Sequence, residues 1–216
     1  MIVVAKEPSV GHTKTRLCPP LSLQQAIALY GCLLQDTLDL MNRVTTDGTD
    51  RVIAYTPASA EAYFRDIAPP GFALVPQEGK DLAERLHNVL VFHLERGYAQ
   101  AVVMNSDGPT LPVPYIEHAF GLLDRPHVDV VLGPSQDGGY YLIGLKRPCT
   151  ALFDVVMSTP TVLQETLLQA DQQQLKVACL LPWHDVDTPK DLQCLNLELA
   201  SLPHSTAPRT RRFLSP

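Results

Sequence analysis

The chain has 216 residues, 45% of them apolar and 19% charged, the composition of a soluble globule able to bury a core as one domain. Its net charge of −6 argues against a nucleic-acid-binding surface, which carries a basic stripe. Five cysteines (Cys18, Cys32, Cys149, Cys179 and Cys194) form no C-x-x-C pair, so they read as reduced thiols and exclude a disulfide framework or zinc site. With no signal-peptide pattern and no apolar run of about 18 residues, the expectation is a cytoplasmic protein without a membrane span.

Apolar runs and helical periodicities alternate along the chain. Ile2–Ala5 is predicted as a first strand. Ser22 with Gln25 three residues on is a capping-box pattern, and behind it Ile27, Tyr30, Leu33, Leu34, Leu38 and Met41 recur at helical spacing. Arg51–Thr56 reads as a strand, Ala58–Asp66 as a short helix, Pro69-Pro70-Gly71 as a turn and Ala73–Gln77 as a strand. Asp81–Arg96 reads as a helix closed by Gly97, and Ala101–Asn105 as an apolar strand running into Ser106-Asp107-Gly108-Pro109. Further on, Val128–Gly133 and Tyr140–Lys146 are strands, Thr161–Ala170 a helix and Lys176–Leu181 a strand. In the last helix Thr188 suits the N-cap, Pro189 the first helical position and Asp191 the N3 end of the helix dipole. One domain is expected over residues 1–201, and the Pro-, Ser-, Thr- and Arg-rich segment 202–216 reads as a mobile tail. The alternation predicts a three-layer α/β/α domain with a mainly parallel sheet, whose ligands bind beyond the carboxyl ends of its strands.

Five stretches carry candidate chemistry. "AKEPSVGHTKTRL", Ala5 to Leu17, leaves the first strand with one glycine, Gly11, and two cations, Lys14 and Arg16, alternating with Thr13 and Thr15. Phosphate is the obvious ligand. A Walker A loop would need glycine where Thr13 and Pro8 stand, and a dinucleotide fingerprint needs three glycines, so neither motif applies. "MNSDGPTLP" ends a strand on Asp107, either a turn residue or a metal ligand. In "WHDVDTPKDL", Asp185 and Asp187 follow an apolar strand and one of them could face the ligand edge, while His184 reads as a strand residue. Two carboxylates from two strand ends make a seat for Mg²⁺ or Mn²⁺, hard cations that bridge to substrate phosphates. "GPSQDGGYYLIGL" is either a tight hairpin or a place where Gly138 and Gly139 let a ligand approach, flanked by Tyr140 or Tyr141. In "QEGKDLAERL", Asp81 either caps the helix or lies where exposed backbone reads a base edge.

These stretches, with "MSTPTVLQETL", together resemble the GT-A-fold bacterial transferases known as the radical-SAM/selenodomain-associated transferase 1 type, over Val3 to about Leu192. Their superfamily, the nucleotide-diphospho-sugar transferases, includes sugar-nucleotide pyrophosphorylases, CMP-Kdo synthetases and glycosyltransferases. The resemblance implies that Lys14 and Arg16 act on the nucleotide phosphates, with Ala5, Lys6, Gly11, Thr15, Asp81, Leu82 and Ser106 as further nucleotide contacts. It implies metal on Asp107 and on Asp187, the first aspartate of "DTPKDL", and an acceptor beside Gly138, Gly139 and Tyr140. The chain departs from the family in having Lys80 and Ala83 beside Asp81, where the family is richer in glycine, and in lacking a tryptophan before Ser158.

The function expected is metal-dependent transfer from a nucleotide donor to a small-molecule acceptor, without nucleic acid. Nucleotidyl transfer from a triphosphate leads, because two cations suit a leaving pyrophosphate better than a single metal does. Glycosyl transfer from a nucleotide sugar is the alternative, and a nucleotide-binding regulatory module without turnover is a second.

Overall fold

The computed structural model describes residues 1–215. Seven short apolar segments form one sheet: β1 (Ile2–Lys6), β2 (Arg51–Thr56), β3 (Phe72–Pro76), β4 (Ala101–Met104), β5 (Val130–Pro134), β6 (Tyr140–Leu145) and β7 (Val177–Cys179). Their order across the sheet is β3-β2-β1-β4-β6-β5-β7. Every pairing is parallel except those of β6, which runs against both β4 and β5. The chain thus builds outward from β1 to β3, returns to β4 on the other flank of β1, and continues away from it.

Side-chain alternation on the strands gives the sheet two buried faces. Val3, Ala5, Ile53, Tyr55, Val102 and Met104 share one core with α1 (Leu23–Asn42), α2 (Glu61–Ile67) and α4 (Val113–Leu123). Ile2, Val52, Ala54, Ala101 and Val103 share the other with α3 (Leu82–Leu94) and α5 (Val162–Gln172). The expected three-layer, mainly parallel architecture is therefore present. Helix α1 starts where expected, with Ser22 and Gln25 exchanging both capping-box bonds.

Three features differ from the sequence reading. Helix α4 has no counterpart in it, because Pro112 and Pro114 look like breakers, yet they occupy the N-cap and first turn, where proline is tolerated. Strand β7 stops at Cys179, two residues short of the expected Leu181. The expected mobile tail is corrected: after α6 (Pro189–Ser201), helix α7 (Pro208–Leu214) packs along α1. Ala207, Leu195 and Leu199 join Leu29, Leu33, Leu17 and Val186 in a third apolar cluster.

The anchor of α7 is polar, so no hydrophobic period reveals it. The wholly buried side chain of Asp36 on α1 accepts the backbone N–H of Thr210 at 2.7 Å and of Arg209 at 3.2 Å, and Arg209 adds an ion pair. Replacing Asp36 by alanine leaves these N–H groups without acceptors and should cost about 2–4 kcal/mol in urea unfolding. Arg209→Ala, removing a half-exposed partner, should cost about 1 kcal/mol or less.

Candidate active site

Because the chain adds β2 on one side of β1 and β4 on the other, the loops after β1 and β4 part and leave a crevice at the carboxyl edge of the sheet, where α/β proteins bind their ligands. A cavity of about 690 Å³ lies there, within the usual range of ligand sites of about 300–1,000 Å³. The loop after β1, the loop after β4, the β5–β6 hairpin and the segment before α6 all reach it.

The loop after β1 holds itself in shape. Ser9 N–H donates to Thr13 Oγ1 at 2.9 Å, and Lys6 Nζ donates to the His12 carbonyl at 3.2 Å. Gly11 supplies a turn with φ of 75°. Lys14 follows in the left-handed region, φ 48° and ψ 37°, a conformation that costs a residue with a Cβ about 1–2 kcal/mol. That conformation delivers its side chain inward. Nζ donates to Asp107 and, at 2.7 Å, to Asp187 Oδ1, with only 6% of the lysine side chain exposed. Burial opposes the charge on Lys14, but the two carboxylates outweigh it and raise its pKa above the usual lysine range. Arg16 Nη1 stands 3.7 Å from Asp187 Oδ2 and is mostly in solvent.

Each carboxylate is fixed from behind. Ser106, beside Asp107, bonds Tyr30 of α1 at 2.9 Å through its hydroxyl, and its carbonyl accepts from Thr37 at 3.3 Å. Tyr30 also accepts the Lys6 N–H at 3.2 Å, tying β1 to β4. Asp187 precedes the capping box of α6, in which the Asp191 carboxylate takes the N–H groups of Asp187 at 3.1 Å and Thr188 at 2.7 Å. The expected roles of Thr188, Pro189 and Asp191 hold.

Asp185 also borders the cavity. Because β7 ends early, residues 180–187 follow no strand alternation. Val186 turns into the third core cluster while Asp185 turns towards β4 and Asp187 towards Lys14. Asp185 Oδ2 accepts from Asn105 Nδ2 at 2.9 Å, and its buried Oδ1 has no partner. Burial, followed by the Asp107 charge, pushes its pKa well above the carboxylate range. Among the described residues no group of three or more His, Cys, Asp or Glu side chains stands at metal-ligating spacing. The acidic seat is a pair bridged by an ammonium group. Two hard oxygen donors beside an unpartnered buried oxygen are a donor set suited to Mg²⁺ or Mn²⁺.

The cavity brings together Ala5, Lys6, Lys14, Thr15, Arg16 and Leu82, and with them Ser106, Asp107, Gly139, Tyr140 and Asp187. Three expected residues lie outside its lining. Gly11 serves the turn, and Asp81 caps α3 by accepting Glu84 N–H at 2.9 Å. Gly138 is packed against the Pro160 backbone, where a Cβ would collide with the carbonyl oxygen. Sequence reasoning missed Tyr30, Gln77, Arg85 and Asn105. Their signals were slight: a phenol in an aliphatic stripe, an amide and a guanidinium beside a turn, and one polar residue ending the strand "AVVMN".

The family described as "Uncharacterized protein conserved in bacteria (DUF2064)" matches residues 37–159. The chain belongs to this family. Among solved structures, a Desulfovibrio desulfuricans G20 protein named as a candidate nucleotide-diphospho-sugar transferase is 31% identical, with TM-score 0.88, over 99% of this chain and 92% of that one. A CMP:2-keto-3-deoxy-manno-octonic acid synthetase complexed with CTP matches with TM-score 0.59 at 13% identity, covering 93% and 97% of the two chains. A 4-diphosphocytidyl-2C-methyl-D-erythritol synthase from Anaerococcus prevotii DSM 20548 has TM-score 0.58 at 10% identity, covering 92% and 95%. The last two likenesses are of fold alone. No curated protein matches the chain. The fold is that of the nucleotide-diphospho-sugar transferases, and no helix among the described residues is long and apolar enough to cross a membrane.

The two hairpin glycines differ in what they tolerate. Gly138 has φ of 92° and abuts Pro160, whereas a Cβ at Gly139 meets the Asp137 carboxylate at 3.2 Å and Val162 at an ordinary 3.8 Å. Gly138→Ala should lose about 2 kcal/mol or more of stability, and Gly139→Ala about 0.5 kcal/mol or less, by thermal or urea unfolding. Equal losses would show that the Pro160 contact does not constrain the hairpin.

Proposed function

We propose that this chain is a metal-dependent nucleotidyltransferase that moves a nucleoside monophosphate from a triphosphate donor to a small acceptor, releasing pyrophosphate. The observation that carries the reading is the Lys14 ammonium held between Asp107 and Asp187 at the cavity floor, with Arg16 beside it. A buried lysine paired to two carboxylates occupies the place where a donor's phosphates and their counterion would meet. Asp107 and Asp187 would hold Mg²⁺ or Mn²⁺, whose chemistry there is to neutralise phosphate oxygens. Lys14 and Arg16 would take the β- and γ-phosphates, with Ala5, Lys6, Thr15, Leu82 and Ser106 along the rest of the donor. The acceptor would lie against Gly139 and Tyr140.

In this reaction an acceptor hydroxyl oxygen forms a bond to the α-phosphorus and gives its proton to solvent. The bond from the α-phosphorus to the bridging oxygen breaks, and pyrophosphate carries the electron pair away. No side chain needs to become covalently linked. The protein contributes alignment and charge, the two terms that dominate phosphoryl chemistry. Glycosyl transfer is a second reading, supported by the name of the 31%-identical Desulfovibrio protein.

The two readings differ in the leaving group. With Mg²⁺ or Mn²⁺, each nucleoside triphosphate and a pool of small acceptors, pyrophosphate should appear in an acceptor-dependent way. Nucleoside diphosphate released from a sugar nucleotide, with triphosphates inert, would replace the first reading by the second.

Binding can be followed without turnover. Asp107→Asn and Asp187→Asn should each abolish metal-dependent thermal stabilisation by nucleotide. Asp185→Asn should be milder, because burial shifts the Asp185 carboxyl towards its protonated form. Mg²⁺ alone should stabilise the native protein little, since Lys14 and Arg16 together balance the pair, and should stabilise Lys14→Met clearly more. An equal response of the two proteins to Mg²⁺ would remove the cation from this seat.

A further inference from the structure

The order of the sheet sorts the cavity into two walls of different chemistry. Lys6 at the end of β1 and His12, Lys14 and Arg16 in the loop after it line one wall, and α3 adds Arg85, whose Nε donates to the Gly79 carbonyl at 3.1 Å. The opposite wall belongs to the β5–β6 hairpin and the segment before α5, on the far side of β4. Strands lie about 4.8 Å apart, so β1 and β6, flanking β4, are separated by about 10 Å.

The far wall presents the Asp137 carboxylate, the Tyr140 phenol, Ser158, Thr159 and the apolar Met157 and Val162. No lysine, arginine or histidine lines it among the described residues. Asp137 Oδ1 accepts the Gly139 N–H at 3.0 Å, which turns the carboxylate along the hairpin and leaves Oδ2 for a ligand. Burial pushes the Tyr140 pKa up to about 12, so the phenol stays a neutral hydrogen-bonding group. The wall is assembled in advance: Leu163 N–H donates to the Gly138 carbonyl at 3.0 Å, and the Tyr140 hydroxyl approaches Met157 Sδ at 3.7 Å.

We propose that the acceptor is an uncharged or amine-bearing hydroxy compound, not a phosphate ester or a carboxylate. An anionic acceptor would face Asp137 on its own wall, with Lys14 and Arg16 already directed to the donor. Neutral hydroxyls can donate to Asp137 and exchange bonds with the Tyr140 phenol and Ser158, and an ammonium group would gain charge assistance at Asp137. The apolar contacts of Met157 and Val162 suit the carbon face of a polyol. The inference rests on the transferase reading of the cavity and is independent of which donor is used.

The test crosses donors with matched acceptors. Each nucleoside triphosphate, UDP-glucose and GDP-mannose is paired with glycerol, glucose, glucosamine, glycerol 3-phosphate and glucose 1-phosphate. Pyrophosphate and nucleoside phosphate release are both recorded. With the active donor, glycerol, glucose or glucosamine should stimulate release at least about tenfold more than the corresponding phosphate ester, a difference of about 1.4 kcal/mol. Asp137→Lys, checked for folding by its melting curve, should shift the ratio about tenfold towards the phosphate esters. Greater stimulation by the esters in the native protein overturns the inference, as does the absence of stimulation by any neutral or amine acceptor with every donor. The identity of the leaving group separately decides between nucleotidyl and glycosyl transfer.

Discussion

The buried ammonium of Lys14 ties together parts of the chain that are remote in sequence. Its contacts with Asp107 and Asp187 span 93 and 173 residues. A charge this buried is tolerated only when paired, and two facing carboxylates are tolerated only with a cation between them. Each group is the condition for the others. The left-handed backbone at Lys14 is the local cost of that arrangement, since only an inward-turned side chain reaches both acids.

The rest of the fold brings these three groups to one place. Parallel strands put their carboxyl ends on one edge, and the adjacency of β1 and β4 sets the loops carrying Lys14 and Asp107 side by side. Helix α1 then acts twice. Tyr30 and Thr37 hold Ser106, the neighbour of Asp107, while Leu29 and Leu33 pack on α6, whose capping box fixes Asp187. Behind α6, helix α7 is locked to the same α1 by Asp36. The acidic pair is therefore positioned by one long helix and its attachments as much as by the sheet.

How far the sequence reveals this depends on whether a feature is local. The strands and α1, α3 and α6 are marked by apolar period and caps within a few residues, and all are present. Lys14 and Arg16 are conspicuous because two cations follow an apolar strand directly, and Asp107 because it ends one. Helix α4 was hidden by prolines that stop a helix in its interior but not in its first turn. Helix α7 was hidden because its attachment is a carboxylate 173 or more residues away, which leaves no pattern in its own seven residues. The inward turn of Asp185, the packing of Gly138 on Pro160 and the bond of Asn105 to Asp185 are tertiary facts of the same kind. So is the most consequential one: that Lys14 rests on the two acids was not readable from any spacing.

That contact bears on how a donor and a cation would enter. On the proposed reading, the pair Asp107 and Asp187 is balanced by Lys14 and Arg16, while burial shifts Asp185 towards its protonated form. A divalent ion arriving alone meets a seat that is already neutralised. A triphosphate arriving alone would draw Lys14 towards its phosphates and leave two carboxylates facing each other. Arriving together, the anion takes the ammonium and the metal takes the carboxylates, so every charge keeps a partner. Donor and cation then favour each other's binding through Lys14, and the linkage is reciprocal. A short phosphate tail that cannot reach Lys14 gains nothing from this exchange, which makes the lysine a gauge of tail length as well as a source of positive charge.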